Sequence, residues 1–178
     1  MNIGRILLLS ICLLGLSAQA VAQDVNVDFD KYVNFKKFKT FAWKQGTSSG
    51  NPFADQRIKE AVELQLGGKG LRRALNVDPD CLVVFHASTS EELSLSTYYS
   101  GWGPGWYPYW GVPATVTTSV DRQKKGTLVV DLWDAGTKKL FWRGTAQDTL
   151  SDKPEKNAKK VQKATAKMFK KFPPPPKK

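Results

Sequence analysis

The chain has 178 residues, of which 41% are hydrophobic, 11% aromatic and 24% charged, and its formal net charge is +11. That length and apolar content suit one globular domain and exclude a collagenous or wholly disordered chain and a multidomain enzyme. With Cys12, Cys81 and His86 as its only thiols and imidazole, cysteine-based zinc sites and most imidazole chemistry are excluded too.

The amino terminus reads as a secretory signal over residues 1–22. Arg5 supplies a positive region, Ile6 to Leu16 form an apolar run of 11 residues, and Ala18-Gln19-Ala20-Val21-Ala22 offers small residues for cleavage after Ala22 or Ala20. The run is too short for a transmembrane helix, which needs about 20 apolar residues, and no later segment approaches that length. The expected location is the periplasm or outside the cell, with outer-membrane association through lipidation of Cys12 as the alternative. Ile11 before Cys12 is a poor residue for a lipidation site, and the apolar run continues past it.

Beyond the signal, Val25, Val27 and Phe29 alternate with polar residues as in a half-buried strand, and Thr40 to Trp43 reads as a second. Asn51 and Pro52 predict a helix start, Ile58, Ala61, Val62 and Leu66 its buried stripe, and Gly67, Gly68 and Gly70 its end. Cys81 to Ala87 is apolar on both faces and predicts a central strand. Leu93 to Tyr99 and Thr115 to Val120 predict the arms of a hairpin. Gly126 to Asp134 and Leu140 to Thr149 predict a second hairpin, turning at Ala135-Gly136-Thr137. A final helix is expected from Pro154 to Phe172, with Ala158, Val161, Thr165, Met168 and Phe172 inward and Lys156, Lys159, Lys163, Lys167 and Lys170 outward. Residues 173–178 follow as a Pro/Lys tail. The expected fold is α+β: a single domain over residues 23–172, with a mainly antiparallel sheet of about five to seven strands and two helices packed on one face.

The chain resembles the domain of unknown function 4136 family of bacterial envelope proteins, many of them lipoproteins. Val27-Asp28-Phe29-Asp30, Phe38 to Trp43, Arg57-Ile58 leading to Leu66, Lys69-Gly70 and Pro79 to Val84 carry the resemblance, as do Gly126 to Leu132, Leu140 to Gly144 and Phe172-Pro173. Their order and spacing carry it, since each motif is short. It implies an envelope location and supplies no catalytic residues.

Catalytic chemistry finds little support. Cys81 and His86, five positions apart on a strand, face opposite sides and make no nucleophile–base pair. Cys81 reads as a buried small hydrophobe. Asp131 and Arg143 read as a cross-strand ion pair of about 0.2 to 1 kcal/mol. Glu91-Glu92 and Asp78-Pro79-Asp80 are the carboxylates a hydrolase of envelope material would use, although Asp78-Pro79-Asp80 reads more simply as a turn. No cofactor or metal is expected.

Two features point to binding. Positions 98–110 hold seven of the 20 aromatics, with Trp102, Trp106, Tyr107, Tyr109 and Trp110 at the hairpin tip, either a partner-binding surface or a satellite core folded back on the sheet. Residues 153–178 hold ten Lys and one acid, which is +9 of the +10 that remains without Arg5. Charge gathered on one helix argues against a nucleic-acid groove. Lys156, Lys159, Lys163, Lys167 and Lys170 read as a solvated face, or alternatively as an electrostatic contact with anionic lipid or another envelope polyanion. The expected function is therefore a non-catalytic envelope protein that binds or scaffolds an envelope protein, glycan or lipid surface.

Overall fold

The computed structural model describes residues 23–75, 77–100 and 115–174, and their side chains except at 94–100, 115–118 and 121. The expected signal segment and the aromatic positions 101–114 thus lie outside the described residues. In chain order the elements are β1 (Asp24–Phe29), a 3-10 turn (Phe35–Lys37), β2 (Thr40–Trp43), α1 (Pro52–Gly68), β3 (Arg72–Arg73), β4 (Cys81–Ser100), β5 (Thr115–Asp134), β6 (Leu140–Thr149) and α2 (Pro154–Phe169). The strands form one six-stranded mixed sheet in the order β1-β6-β5-β4-β2-β3. β1, β6, β5 and β4 pair antiparallel, whereas β2 runs parallel to β4 and to β3. The fold is a single α+β domain, as expected.

Period-two alternation divides the sheet. Cys81, Val83, Phe85 and Ala87 of β4 lie opposite Asp134, Leu132, Val130 and Leu128 of β5, and these apolar residues join the core with Phe41, Trp142 and Ala146. α1 closes it with Ile58, Ala61, Val62 and Leu66, the stripe read from the sequence, and α2 with Ala164, Thr165, Met168 and Phe169. Asn51 caps α1 through its side-chain oxygen, which accepts from the N–H groups of Phe53 and Ala54 at 3.0 and 3.2 Å. α2 ends at Phe169, earlier than expected; Phe172 lies beyond the helix and is nevertheless buried against Trp142 and Phe169. α2 sits close on β6 because position 144 is glycine: a Cβ there would lie 3.1 Å from the Met168 side chain.

The structure joins what the sequence separates. Residues 81–87 and 93–99 are parts of one 20-residue strand, and so are 115–120 and 126–134. β4 and β5 stay paired from Cys81↔Asp134 to Ser100↔Thr115. β6 leaves β5 after Lys125↔Thr149, and the irregular extension of β2 leaves β4 where Thr47 meets His86 and Ala87. Beyond those points the two central strands continue as a two-stranded arm.

Candidate functional site

The arm comprises Glu91 to Ser100 paired with Thr115 to Lys124. Among the described side chains the buried cluster reaches Ala87 on β4 and Leu128 on β5. Leu93 and Val120 remain 62% and 55% exposed. At its base Glu92 forms an ion pair with Lys125. Among the described residues no strand neighbours either outer edge of the arm, an arrangement soluble sheets usually blunt with charges or cover. The aromatic candidates Trp102, Trp106, Tyr107, Tyr109 and Trp110 follow the arm in sequence and lie outside the described residues.

At the root of the arm, small floor residues Ala87 and Ala146 leave a groove of about 240 Å³ between the sheet and the amino-terminal halves of α1 and α2. Gln23, Asp148 and Lys160 form its polar wall. Gln23 Nε2 donates to Asp148 Oδ2 and to the Lys160 carbonyl, each at 3.0 Å, and Lys160 Nζ donates to Asp148 Oδ1 at 2.9 Å. Gln23 Oε1 is buried without a partner. The volume falls below the roughly 300 to 1,000 Å³ of small-molecule pockets, so the groove is a packing hollow tied by polar bonds that anchor β1 and α2 to the end of β6.

The lysines of α2 divide. Lys156, Lys159, Lys163 and Lys170 are exposed and Lys167 is half-buried, a predominantly wet face as the helical spacing implies. Lys160, between two of them, instead turns to Asp148 and the Thr149 carbonyl.

No catalytic constellation forms around the other sequence candidates. Cys81 is buried and free, and burial pushes its thiol up to about 12, with Asp80 and Asp134 adding to the shift. His86 shares a 2.9 Å hydrogen bond with Thr47 Oγ1, one residue position out of step with the Cys81 face. Asp80 accepts from the Lys39 and Thr40 N–H groups, each at 2.8 Å, which hold its carboxyl below the usual range. It ties the turn before β4 to β2. Asp134 accepts from Lys37 and from the N–H groups of Gly136 and Thr137, and falls to about 2, the Lys37 bond contributing most. Among the described residues no group of three or more His, Cys, Asp or Glu is placed to hold a metal ion, and no helix is long and apolar enough to cross a membrane.

The Asp131–Arg143 pair needs correction in its energetics. The register does set the two opposite each other, and Arg143 Nε and Nη2 donate to the two carboxylate oxygens at 2.7 and 2.6 Å. The Asp131 side chain, however, is 1% exposed and Arg143 47%. A buried carboxylate held by a bidentate guanidinium is worth more than a surface pair, because losing the partner strands the charge away from water.

The model of the domain of unknown function DUF4136 matches residues 25–174, from β1 through α2 to Pro174. The chain belongs to the DUF4136 family. No curated protein matches the sequence. Solved structures similar to this DUF4136 chain include a PDZ domain protein from Parabacteroides distasonis, 16% identical with a TM-score of 0.57 over 85% of this chain and 35% of that one. The chain thus spans about a third of that protein's length. A PelC dodecamer from Paraburkholderia phytofirmans is 12% identical with a TM-score of 0.49, covering 83% of this chain and 95% of that one. The first likeness supports the fold alone.

Gln23, just before the DUF4136 match, and Asp148 and Lys160 within it went unread in the sequence. Gln23 stands beside the expected cleavage point, and the other two meet only because β6 and α2 are laid side by side. Their spacing of 12 residues carries no signal by itself.

Proposed function

We propose that this is a non-catalytic, exported protein of the bacterial envelope that binds or scaffolds an envelope component through the arm formed by the outer halves of β4 and β5. The observation that carries the reading is the arm itself: ten residue pairs held by backbone bonds, with Leu93 and Val120 exposed and, among the described residues, no strand along either edge. An arm that extends so far and presents Leu93 and Val120 to solvent is explained by contact with something else. The signal-like segment of residues 1–22 supports export, and family membership is consistent with it. The aromatic positions 102, 106, 107, 109 and 110, which follow β4 in sequence, belong to the same reading by their residue types. A hydrolase is the weaker reading, since Asp80, Asp131, Asp134, Asp148 and Glu92 are each committed to a hydrogen bond or ion pair within the fold.

The test is retention of envelope components by the immobilised mature protein, compared with a variant in which Glu92 and Gln123 are joined through Asn-Gly. Components retained only by the full chain support the reading. Equal retention by both forms, or none by either, overturns it.

A further inference from the structure

The connections at one end of the sheet gather charge that lies apart in the sequence. Residues 30–39, between β1 and β2, carry Lys31, Lys36, Lys37 and Lys39. Residues 69–80, around β3, add Lys69, Arg72 and Arg73, and the β5–β6 turn adds Lys138 and Lys139. All nine cations are exposed. The same three connections hold four carboxylates, Asp30, Asp78, Asp80 and Asp134. Three of these are taken within the fold: Asp134 by Lys37, Asp80 by the Lys39 and Thr40 N–H groups, and Asp30 by the Tyr32 N–H group at 2.9 Å.

Pairing brings these segments to one place. Cys81 at the start of β4 lies opposite Asp134 at the end of β5, and the Ala135 N–H donates to the Asp80 carbonyl at 3.0 Å. α2 ends here as well, since Phe172 packs edge-on to Phe35 at 5.8 Å between centroids, which adds exposed Lys170 and Lys171. At the opposite end of the body, residues 45–55 and 150–155 lead into α1 and α2 and hold three carboxylates against one lysine. The body is therefore polarised along its strands, basic where β4 begins and acidic in the connections nearest the arm.

Exposed apolar side chains stand among the cations. Tyr32, Leu75 and Val77 are 86%, 80% and 66% exposed, three of the seven exposed large hydrophobic side chains among the described residues. Tyr32 follows β1 and the other two follow β3, the outermost strands of the six. At roughly 4.8 Å per strand spacing the two sets lie about 24 Å apart. Different polyanions would use such a surface differently. A small anion needs donors that converge in a cleft, whereas these cations are spread over an open surface. A nucleic-acid duplex would use the cations and gain nothing from Leu75 or Val77. A bilayer with anionic headgroups uses both, because cations sit at headgroup level while apolar side chains and a tyrosine ring enter the boundary with the acyl chains. Its breadth also suits anchors that lie far apart.

We infer that this end of the domain docks on an anionic phospholipid surface. Leu75 and Val77 on one side and Tyr32 on the other are the apolar anchors, and Lys36, Lys39, Lys69 and Arg72 meet the headgroups. Lys37 and Arg73 stand outside that set because Asp134 and Glu63 hold them. The contact goes beyond the reading of the arm and does not depend on it. In the docked state β4 leads away from the lipid, and the arm extends into the aqueous phase.

The test measures co-sedimentation of the mature protein with phosphatidylethanolamine–phosphatidylglycerol vesicles at physiological salt, with phosphatidylcholine vesicles and duplex DNA alongside. Expected is binding to the anionic vesicles and none to phosphatidylcholine. Replacing Lys36, Lys39, Lys69 and Arg72 by Gln should weaken it about a hundred-fold, and replacing Tyr32, Leu75 and Val77 by Ser about ten-fold. All seven side chains are exposed, so Tm should barely move. Replacing Lys153, Lys156 and Lys159 by Gln should change binding less than about three-fold. These lysines lie at the start of α2, about 15 to 24 Å from its far end and beyond the Debye length. Absence of binding to anionic vesicles overturns the inference. So does loss in the Lys153/Lys156/Lys159 variant with retention in the four-cation variant, which would move the lipid contact to the lysine helix. An apolar variant that binds like the parent, with vesicles and DNA lost equally in the four-cation variant, also overturns it by revealing a bare cation patch. In each of these cases the reading of the arm stands.

Discussion

Joining Glu92 to Gln123 through Asn-Gly removes residues 93–122 and leaves β4 and β5 paired at Glu92↔Gln123, a two-residue connection whose twist suits an antiparallel pair. The described apolar side chains of the arm point to a small cost. Full burial of a Leu or Val is worth about 1.5 to 3 kcal/mol, and Leu93 and Val120 are 62% and 55% exposed, so each forfeits only a fraction of that. Exchanging a long connection for a two-residue one works the other way, lowering closure entropy by up to about 2 kcal/mol. If the arm stands outside the cooperative core, the truncated protein should unfold within about 1 kcal/mol of the full chain, about 2 to 4 °C in Tm, with an unchanged urea m-value. Phe169→Ala is the internal standard. Phe169 is fully buried, tilted against Trp142 at 4.7 Å between centroids and edge-on to Phe172, and its loss should cost about 3 to 5 kcal/mol. Circular dichroism during urea and thermal unfolding decides. A truncated chain that loses more than about 3 kcal/mol would refute the view that the arm stands outside the cooperative core.

Replacing Arg143 by Met leaves the Asp131 carboxylate buried without its guanidinium; with the Arg143 side chain itself half-exposed, we expect a loss of about 2 to 3 kcal/mol, largely recovered in the Asp131→Leu/Arg143→Met double variant, by urea denaturation. Asp134 has its folded pKa lowered to about 2, so its contribution of up to about 2 kcal/mol is complete above its unfolded value near 3.9 and lost as pH falls from about 4 to about 2. Asp134→Asn should flatten the acid limb of stability against pH in that window, and an unchanged slope would contradict the assignment. At about pH 8 Cys81 should react with a thiol reagent only as fast as the protein unfolds, which stopped reactions at rising urea would measure. Replacing Lys156, Lys159, Lys163, Lys167 and Lys170 by Gln should remove salt-sensitive binding to polyanions such as DNA while barely moving Tm; retained affinity would place the basic site elsewhere.

Much of the fold is legible where local pattern and tertiary demand agree. Asn51-Pro52 starts α1, Ile58, Ala61, Val62 and Leu66 are buried as their spacing requires, and the strand alternation of residues 25–29 holds. The strands of the arm read as fragments because Ser88 to Glu92 and Arg122 to Lys125 lack apolar alternation. Pairing continues there because backbone bonds between strands do not require burial. β3, two arginines long, has no apolar period at all and is defined by its pairing with Thr40 and Phe41. The root of the arm was illegible for a different reason: Lys160 lies in a lysine-rich helix, and only Asp148 on a separate element distinguishes it from the wet lysines around it. The hairpin register made Arg143 legible as the partner of Asp131, but nothing in the sequence showed that the Asp131 side chain would be buried while Arg143 stays half-exposed.

β4 and β5 are neighbours in the middle of the sheet, and the same two strands run unbroken from the core into the arm. The arm is thus mechanically continuous with the centre of the body. A pull on its far end travels along both strands in the same direction and arrives as shear against β6 on one side and β2 on the other, where the ladder bonds share the load together instead of opening one at a time. A connecting loop would absorb such a displacement. This geometry instead couples the position of the tip to the centre of the sheet, so whatever holds the arm also sets the orientation of the domain.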